Sequence, residues 1–382
     1  MEEKRFHGLD ALRGIAMLLG IVLHAALPYI PDIDSIWPAD SESSYLITAI
    51  FQFIHVWRMP LFFILAGFFT KVFIDRKSWE KWISNRVLRI GIPLLIFSPL
   101  MALTLPWIFK FGRTEELRFF YSMEGYPFHL WFLWHLLIFV FLSLIFKPIN
   151  SLLKNNMIFD RISKHFDRIA KQLFQVRILV ILIFLISTGI LISLISNLII
   201  LTGGELITNP IATGLYFVLG YLLYKNINLL ETMKKNWHVY LSVGLVAFAL
   251  FFALEIFKYY EPFKNLPTSK EKEDAEAFVW FLQQPIKVTS ALFLSCSFIG
   301  LIEAKFGDYS FAKRFISDGA YWMYLIHLPI VTFITFFMFR FDINPVFKFI
   351  VAILLTSAIC LGTYKYIVRP TLIGTLLNGK RS

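Results

Sequence analysis

Histidines within long apolar segments are the side chains of this 382-residue chain best suited to chemistry. Five of the eight histidines lie inside such segments or at their ends: His24, His55, His129, His135 and His327. An imidazole gains and loses a proton near neutral pH, so it can take a proton from a hydroxyl group. Because ionisable groups are costly inside a bilayer, they indicate function there. The alternative for each is an interhelical hydrogen bond that only stabilises the bundle.

The separation of Arg13 and His24 is the most specific spacing in the sequence. Eleven residues make about three helical turns, so both side chains point to one face, roughly 16 Å apart along the axis. This arrangement predicts a passage with a guanidinium at its mouth and an imidazole deep inside. Asp10 lies three residues before Arg13, and we interpret it as a structural ion-pair partner of that arginine.

Three further arginines are candidates for binding anions. Arg86 and Arg89 share a helix face at positions i and i+3, and forked guanidinium groups suit phosphates. Their alternative role is that of positive charges anchoring a cytoplasmic helix end. Arg58 lies within an apolar segment, where a buried guanidinium needs an anionic partner.

Polar-tipped side chains recur at every third residue of a late apolar segment, at Tyr321, Tyr324 and His327. Aromatic stripes usually reflect packing or an interfacial belt, but this stripe ends in a histidine. His129 stands beside Trp131, and we interpret it as an interfacial packing residue. For His55 and His135, the sequence does not decide between function and packing.

Composition shows what kind of protein must position these residues. Hydrophobic residues make up 57% of the chain, charged residues 16% and aromatic residues 18%, and the mean hydropathy is +0.66. About a quarter of the residues in soluble domains are charged, so a soluble enzyme, a disordered chain and a disulfide scaffold are excluded. The sequence therefore predicts an all-α, polytopic membrane protein.

Apolar runs of roughly 20 residues predict about ten transmembrane helices. They cover residues 12–29, 47–70, 90–108, 129–146, 178–201, 211–224, 239–257, 286–301, 315–338 and 347–368.

The distribution of Lys and Arg predicts the orientation. Of 37 such residues, 26 fall at the N-terminus, in alternate loops and at the C-terminus, whereas 8 fall on the opposite side. This asymmetry places both termini in the cytoplasm and explains the net charge of +11 without nucleic acid. We expect no cleaved signal peptide and no appended soluble domain, so residues 1–382 form a single integral-membrane domain. The basic stretch 147–177 predicts an interfacial helix against membrane lipid.

The predicted topology brings the ionisable residues to a common depth. His24, His55, Arg58, His135 and His327 all fall at or beyond the middle of their helices, towards the extracytoplasmic side. We therefore expect them to line one polar cavity.

Three motifs, taken together and in this order, resemble those of acyltransferase family 3 membrane proteins. They are Arg13 with His24 in the first helix, Arg86 with Arg89 before the third, and the segment 321–329, Tyr-Trp-Met-Tyr-Leu-Ile-His-Leu-Pro. The resemblance covers the whole chain. Within that family, residues 24–26, 55–69 and 129–133 are similar to the glucan biosynthesis protein C group.

The resemblance implies O-acyl transfer in a bacterial inner membrane. The donor would be a cytoplasmic acyl-CoA, either succinyl-CoA or acetyl-CoA, and the acceptor a hydroxyl of an extracytoplasmic glycan such as periplasmic glucan. No metal is expected, and the oligomeric state is left open. A proton-coupled secondary transporter or lipid-linked sugar flippase is the alternative, although no inverted repeat supports it.

The same resemblance suggests roles for the candidate residues. His24 would be the general base or a transient acyl acceptor. His327 and Tyr324 would orient the acceptor or stabilise the oxyanion. Arg58 would bind the free carboxylate of a succinyl group. The remaining candidates are Arg13, Arg86 and Arg89 for the phosphates of CoA, and His55, His135 and Tyr321 for the acceptor.

Overall fold

The computed structural model describes residues 6–125, 128–153, 157–174, 210–257, 269–308 and 310–378. These residues form helices and connecting loops, with no strand among them. The helices are α1 (His7–Ala26), α2 (Tyr45–Arg76), α3 (Trp79–Arg86), α4 (Ile92–Thr114), α5 (Trp131–Leu153), α6 (Met157–Phe174), α7 (Pro210–Lys225), α8 (Asn228–Phe257), α9 (Ser269–Lys305), α10 (Phe311–Phe337), α11 (Pro345–Thr363) and α12 (Leu372–Asn378). Single 3₁₀ turns occupy Leu27–Tyr29, Phe128–Leu130 and Met338–Arg340, and π-helical turns occupy Val87–Gly91 and Tyr364–Val368.

Within the described ranges, eight helical segments are long and apolar enough to cross a membrane. They are His7–Tyr29, Tyr45–Arg76, Trp79–Thr114, Phe128–Ile145, Asn228–Ile256, Asp274–Lys305, Phe311–Arg340 and Pro345–Val368. Of the ten predicted spans, 178–201 lies outside the described residues. The span 211–224 coincides with α7, which has only 16 residues. The all-α fold with several helices able to span a membrane is therefore confirmed for the described residues, whereas the number of spans and the location of the termini stay predictions.

The helix of the third span begins earlier than its apolar run. Helical structure is continuous over Trp79–Thr114, so Arg86 and Arg89 lie on the same helical segment, ahead of the apolar run predicted at 90–108. The Ser78 side chain caps the N-terminus of α3 by accepting a hydrogen bond from the Lys81 N–H group. Polar residues can continue a helix beyond its apolar part, which a hydropathy window does not detect.

The amphipathic stretch predicted within 147–177 contains the helix α6. Its apolar side chains Met157 and Ile158 are 75% and 68% exposed. Asp167, on the same helix, forms an ion pair with Lys225 of α7. The helix is thus confirmed, and its contact with membrane lipid stays a prediction.

The chain divides into two compact units. The first comprises Met1–Leu9, Val56–Arg76 and Ser143–Gly307, and the second comprises Asp10–His55, Lys77–Leu142 and Asp308–Ser382. The helix α2 therefore contributes to both units.

Close backbone contact between two helices characterises the first unit. A Cβ atom added to Gly67 of α2 would lie 1.8 Å from the carbonyl oxygen of Phe217, and one added to Gly220 of α7 would lie 1.8 Å from that of Ile64. Glycines allow such approaches, which strengthen helix packing in membranes through van der Waals contact. The sequence of each helix thus permits α2 and α7 to touch along their backbones.

Candidate active site

In the second unit, α1 and α10 run parallel and in register. Gly14 lies against Ser317: a Cβ added to Gly14 would be 3.1 Å from the Ser317 Cα atom. Ser317 Oγ also donates a hydrogen bond to the carbonyl oxygen of Asp10 over 2.9 Å. Farther along both helices, at the same spacing, the ring centroids of His24 and His327 lie 5.2 Å apart. Small residues at one end of the helix pair therefore allow the two histidines to meet at the other.

His129 joins these two histidines. Its ring centroid lies 5.3 Å from that of His327 and 5.4 Å from that of Tyr324. The residue before it, Phe128, has a φ of 55°, a left-handed conformation that is costly for a bulky side chain. Such strain is often found at functional sites. His129 therefore belongs to the cluster, although its position beside a tryptophan suggested interfacial packing.

Hydrogen bonds to backbone carbonyls select the tautomers of two of these imidazoles. His327 Nδ1 lies 3.0 Å from the oxygen of Met323 and 2.9 Å from that of Tyr324. His129 Nε2 lies 3.0 Å from the same Tyr324 oxygen. Because a carbonyl oxygen only accepts, both of these nitrogens carry a proton. In the neutral rings, His327 Nε2 and His129 Nδ1 are then the basic nitrogens, and both atoms are buried.

The hydroxyl groups of the two tyrosines on α10 bind backbone carbonyls. Tyr324 Oη donates to the oxygen of His129 over 2.8 Å, and Tyr321 Oη donates to that of Arg89 over 2.6 Å. Pro93 explains the second bond, because it has no N–H to give to the Arg89 carbonyl four residues earlier. Tyr321 therefore supports the arginine-bearing segment, and both tyrosines have positioning contacts in the structure.

The arginines Arg13, Arg86 and Arg89 form an electrostatic group in the second unit. The charges of Arg13 and Arg89 act on Arg86, and that of Arg13 acts on Arg89. Arg13 Nη2 also lies 3.4 Å from Asp10 Oδ1, which is the ion pair expected from the sequence. Arg89 belongs to the π-helical turn Val87–Gly91, a feature frequent at functional sites. Like charges so placed repel one another and favour a ligand with several negative charges.

The ring contacts described for His55 and His135 are with neighbours on their own helices. His55 stacks on Phe51 with centroids 5.2 Å apart. His135 is 2% exposed, and its ring lies 5.2 Å from that of Trp131. Arg58 belongs to the first unit. The expectation that these three residues line the same cavity as His24 stays a prediction.

Trp37 is a neighbour of His24 that no sequence pattern indicates. The two rings are nearly parallel, with an interplanar angle of 20° and centroids 6.2 Å apart. The rings of Phe109 and Phe336 contact Trp37 edge-on, at 4.6 Å and 6.2 Å. Because Trp37 lies in the loop between α1 and α2, neither periodicity nor spacing relates it to the histidine.

The described part of the chain contains no group of three or more His, Cys, Asp or Glu side chains that could hold a metal ion. The site instead combines basic imidazole nitrogens with a group of guanidinium cations. Chemically, it can transfer a proton at one end and bind an anion at the other.

Comparison with known proteins identifies the family. A family model described as an acyltransferase domain, that of acyltransferase family 3, matches residues 6–365. The chain belongs to acyltransferase family 3. The matched range includes every residue of the histidine and arginine groups, and the eight apolar helices of the described residues suit a multi-pass membrane protein of this family.

Curated relatives carry the name glucans biosynthesis protein C. The protein of that name from Escherichia coli (strain K12) is 35% identical over 179 residues, and that from Shigella dysenteriae serotype 1 (strain Sd197) is 34% identical over 179 residues. Each match covers 44% of this chain and 44% of the relative, so the matched region spans less than half the length of these relatives. No solved structure matches the chain.

Proposed function

We propose that this membrane acyltransferase transfers a succinyl or acetyl group from cytoplasmic acyl-CoA to a hydroxyl of an extracytoplasmic glycan, in the inner membrane of a bacterium. The contact of His24 with His327 is the observation that carries the proposal. Arginines gather near the opposite end of the same helix pair. The name of the relatives, glucans biosynthesis protein C, supports a glucan as acceptor.

The arginine group supports acyl-CoA as the donor. Coenzyme A carries a diphosphate and a 3′-phosphate, which forked guanidinium groups bind well. Arg13 and His24 are separated by roughly 16 Å along α1. An extended pantetheine arm is comparable in length, so the thioester can reach the histidines while the phosphates stay with Arg13, Arg86 and Arg89.

The histidine cluster supports direct transfer with His24 as general base. His24 takes the proton of the acceptor hydroxyl, whose oxygen attacks the carbonyl carbon of the thioester. The C–S bond then breaks, an ester forms, and the leaving thiolate receives the proton as free CoA. Apolar surroundings limit the competing hydrolysis of the thioester.

The tautomer of His327 favours one of its two expected roles. With its proton on Nδ1, the neutral ring presents a lone pair at Nε2, so it accepts a hydrogen bond from a second hydroxyl of the acceptor sugar, next to the one whose proton His24 takes. It cannot donate to an oxyanion in that form. We therefore assign the orientation of the acceptor to His327, and the positioning of His129 to Tyr324, whose hydroxyl binds the His129 carbonyl.

Arg58 is proposed to bind the free carboxylate of a succinyl donor through its guanidinium fork. In Arg58→Lys the charge remains but the fork is lost. We therefore expect a raised KM for succinyl-CoA and an unchanged KM for acetyl-CoA.

Thiol release by the purified full-length chain in detergent tests the proposal. Acetyl-CoA and succinyl-CoA would be supplied with glucan oligosaccharides, and both free CoA and acylated glucan measured. We expect His24→Ala to abolish both products. The matched control is His238→Ala, which removes an exposed imidazole of the first unit. If the folded wild-type protein released CoA from neither donor, the transferase proposal would fail and the transporter would become the better explanation.

A further inference from the structure

The loop between α1 and α2 provides an aromatic surface next to His24. The indole of Trp37 is partly exposed, and its plane is nearly parallel to the imidazole. Its Nε1 atom is buried and has no hydrogen-bond partner among the described residues. A buried N–H group without an acceptor is unfavourable, so this atom indicates a ligand that supplies one.

A buried ion pair fixes this loop. Lys348 Nζ lies 2.8 Å and 3.1 Å from the two carboxylate oxygens of Asp40, and the two side chains are only 2% and 0% exposed. The Asp40 N–H group also donates to the carbonyl oxygen of Pro28 over 2.9 Å. Trp37 is therefore held three residues away from an anchored position, which makes it part of a built site and not of a loose surface loop.

Tight packing against α4 and α10 restricts the indole further. A Cβ atom added to Gly112 would lie 2.6 Å from the ring of Phe336 and 2.9 Å from Pro38, the residue after Trp37. The ring of Phe109 contacts the indole at 4.6 Å. The ring of Trp37 is thus fixed before any ligand arrives, as a specific binding surface requires.

We propose that Trp37 binds the acceptor glycan and selects for a pyranose sugar. This inference rests on the proposed function and deepens it. The apolar C–H face of the sugar ring packs on the indole, Nε1–H donates a hydrogen bond to a sugar oxygen, and a neighbouring hydroxyl is thereby presented to His24. An aromatic surface with a single polar group suits a ligand with one apolar face and a polar rim.

Acceptor kinetics of the full-length chain test this role. Transfer from a saturating acyl-CoA donor would be measured against increasing concentrations of glucan oligosaccharide for Trp37→Phe, which keeps a ring but removes the N–H group, and for Trp37→Ala. We expect Trp37→Phe to raise the acceptor KM about tenfold, with a smaller change in kcat. Trp37→Ala should raise it further. The matched control is Trp107→Phe, in the same aromatic cluster, whose described ring contacts are with Phe119 and Phe333. It should behave as wild type.

Two outcomes would overturn the inference. The first is that Trp37→Phe has an acceptor KM within twofold of the wild-type value. If Trp37→Ala does not fold, the Trp37→Phe result alone tests the inference. The second is a shifted pH dependence of kcat with an unchanged acceptor KM, which would show that the indole acts only on the charge of His24. Thiol release by wild type that depends on His24 is established first. If it is absent, the proposed function has failed. If it is present, the Trp37 results judge this inference alone.

Discussion

The substitution His327→Asn distinguishes the roles of the two nitrogens of a buried imidazole. The amide nitrogen of asparagine lies near the position of Nδ1, so it can still donate to the carbonyl of Met323 or Tyr324. No basic atom remains where Nε2 was. If Nε2 holds the acceptor through a neighbouring hydroxyl while His24 takes the proton of the reacting one, kcat should fall about 100-fold or more. This loss corresponds to about 2.7 kcal/mol of transition-state stabilisation.

Stability should change much less in this variant. One hydrogen bond to a carbonyl is retained and a second is weakened, which costs about 0.5–1.5 kcal/mol. The assay is CoA release at saturating donor and acceptor, with thermal unfolding in detergent as the folding control and His238→Asn as the matched substitution. If the folded variant kept more than a tenth of the wild-type kcat, His327 would act through its Nδ1 contacts alone and the reasoning from its tautomer would be refuted.

Three further substitutions test contacts that hold each unit together. Tyr321→Phe removes the hydroxyl that donates to the Arg89 carbonyl, for which Pro93 has no N–H group. We expect thermal unfolding to show about 1–3 kcal/mol of destabilisation, and thiol release to show a higher KM for the acyl-CoA donor. Asp40→Asn leaves Lys348 buried without its counter-ion. We expect about 3–5 kcal/mol of destabilisation by thermal unfolding, partly recovered when Lys348→Met is added. Gly67→Ala places a methyl group 1.8 Å from a carbonyl oxygen and should lower the unfolding temperature strongly, whereas Gly362→Ala, with no atom within 4 Å, should not.

Contrary results would be informative for each of these contacts. An unchanged donor KM in Tyr321→Phe would mean that the Tyr321 hydroxyl does not position the arginine group for donor binding. An unaltered unfolding temperature without the Asp40 charge would mean that the ion pair does not fix the loop. Equal unfolding temperatures for the two alanine variants would show that the first unit tolerates a wider separation of its helices.

Apolar length predicts most of the helices because a bilayer permits few other structures. The sequence also predicts that Arg13 and His24 share one face of α1, since the two positions are related by helical geometry alone. It is less informative where polar residues extend a helix, as they do from Trp79 to Arg89. There the boundary depends on a cap at Ser78 and on a π-helical turn, neither of which has a hydropathy signal.

The histidine cluster was only partly predictable. The depth of each side chain in the membrane follows from the helical rise per residue, which places His24 and His327 at similar levels. The rotation of each helix about its axis, which decides what a side chain points towards, depends on packing. The contact of Gly14 with Ser317 sets that rotation, and two small residues in different helices have no sequence pattern in common. His129 depends on a strained turn, and Trp37 on an anchored loop. Neither was identifiable as a site residue from spacing.

The parallel pairing of α1 with α10 also has a consequence for biogenesis. Ser317 and Asp10 are 307 residues apart in the chain, yet they share a hydrogen bond. At a synthesis rate of 5–20 residues per second, about 15–60 s pass between the emergence of these two partners. Throughout that interval the first helix must reside in the membrane with its histidine unmatched, so it depends on temporary neighbours such as lipid, water or the insertion machinery. In the proposed mechanism, catalytic competence therefore arises only near the end of translation, and a ribosome stalled before α10 would leave an inserted but inactive chain.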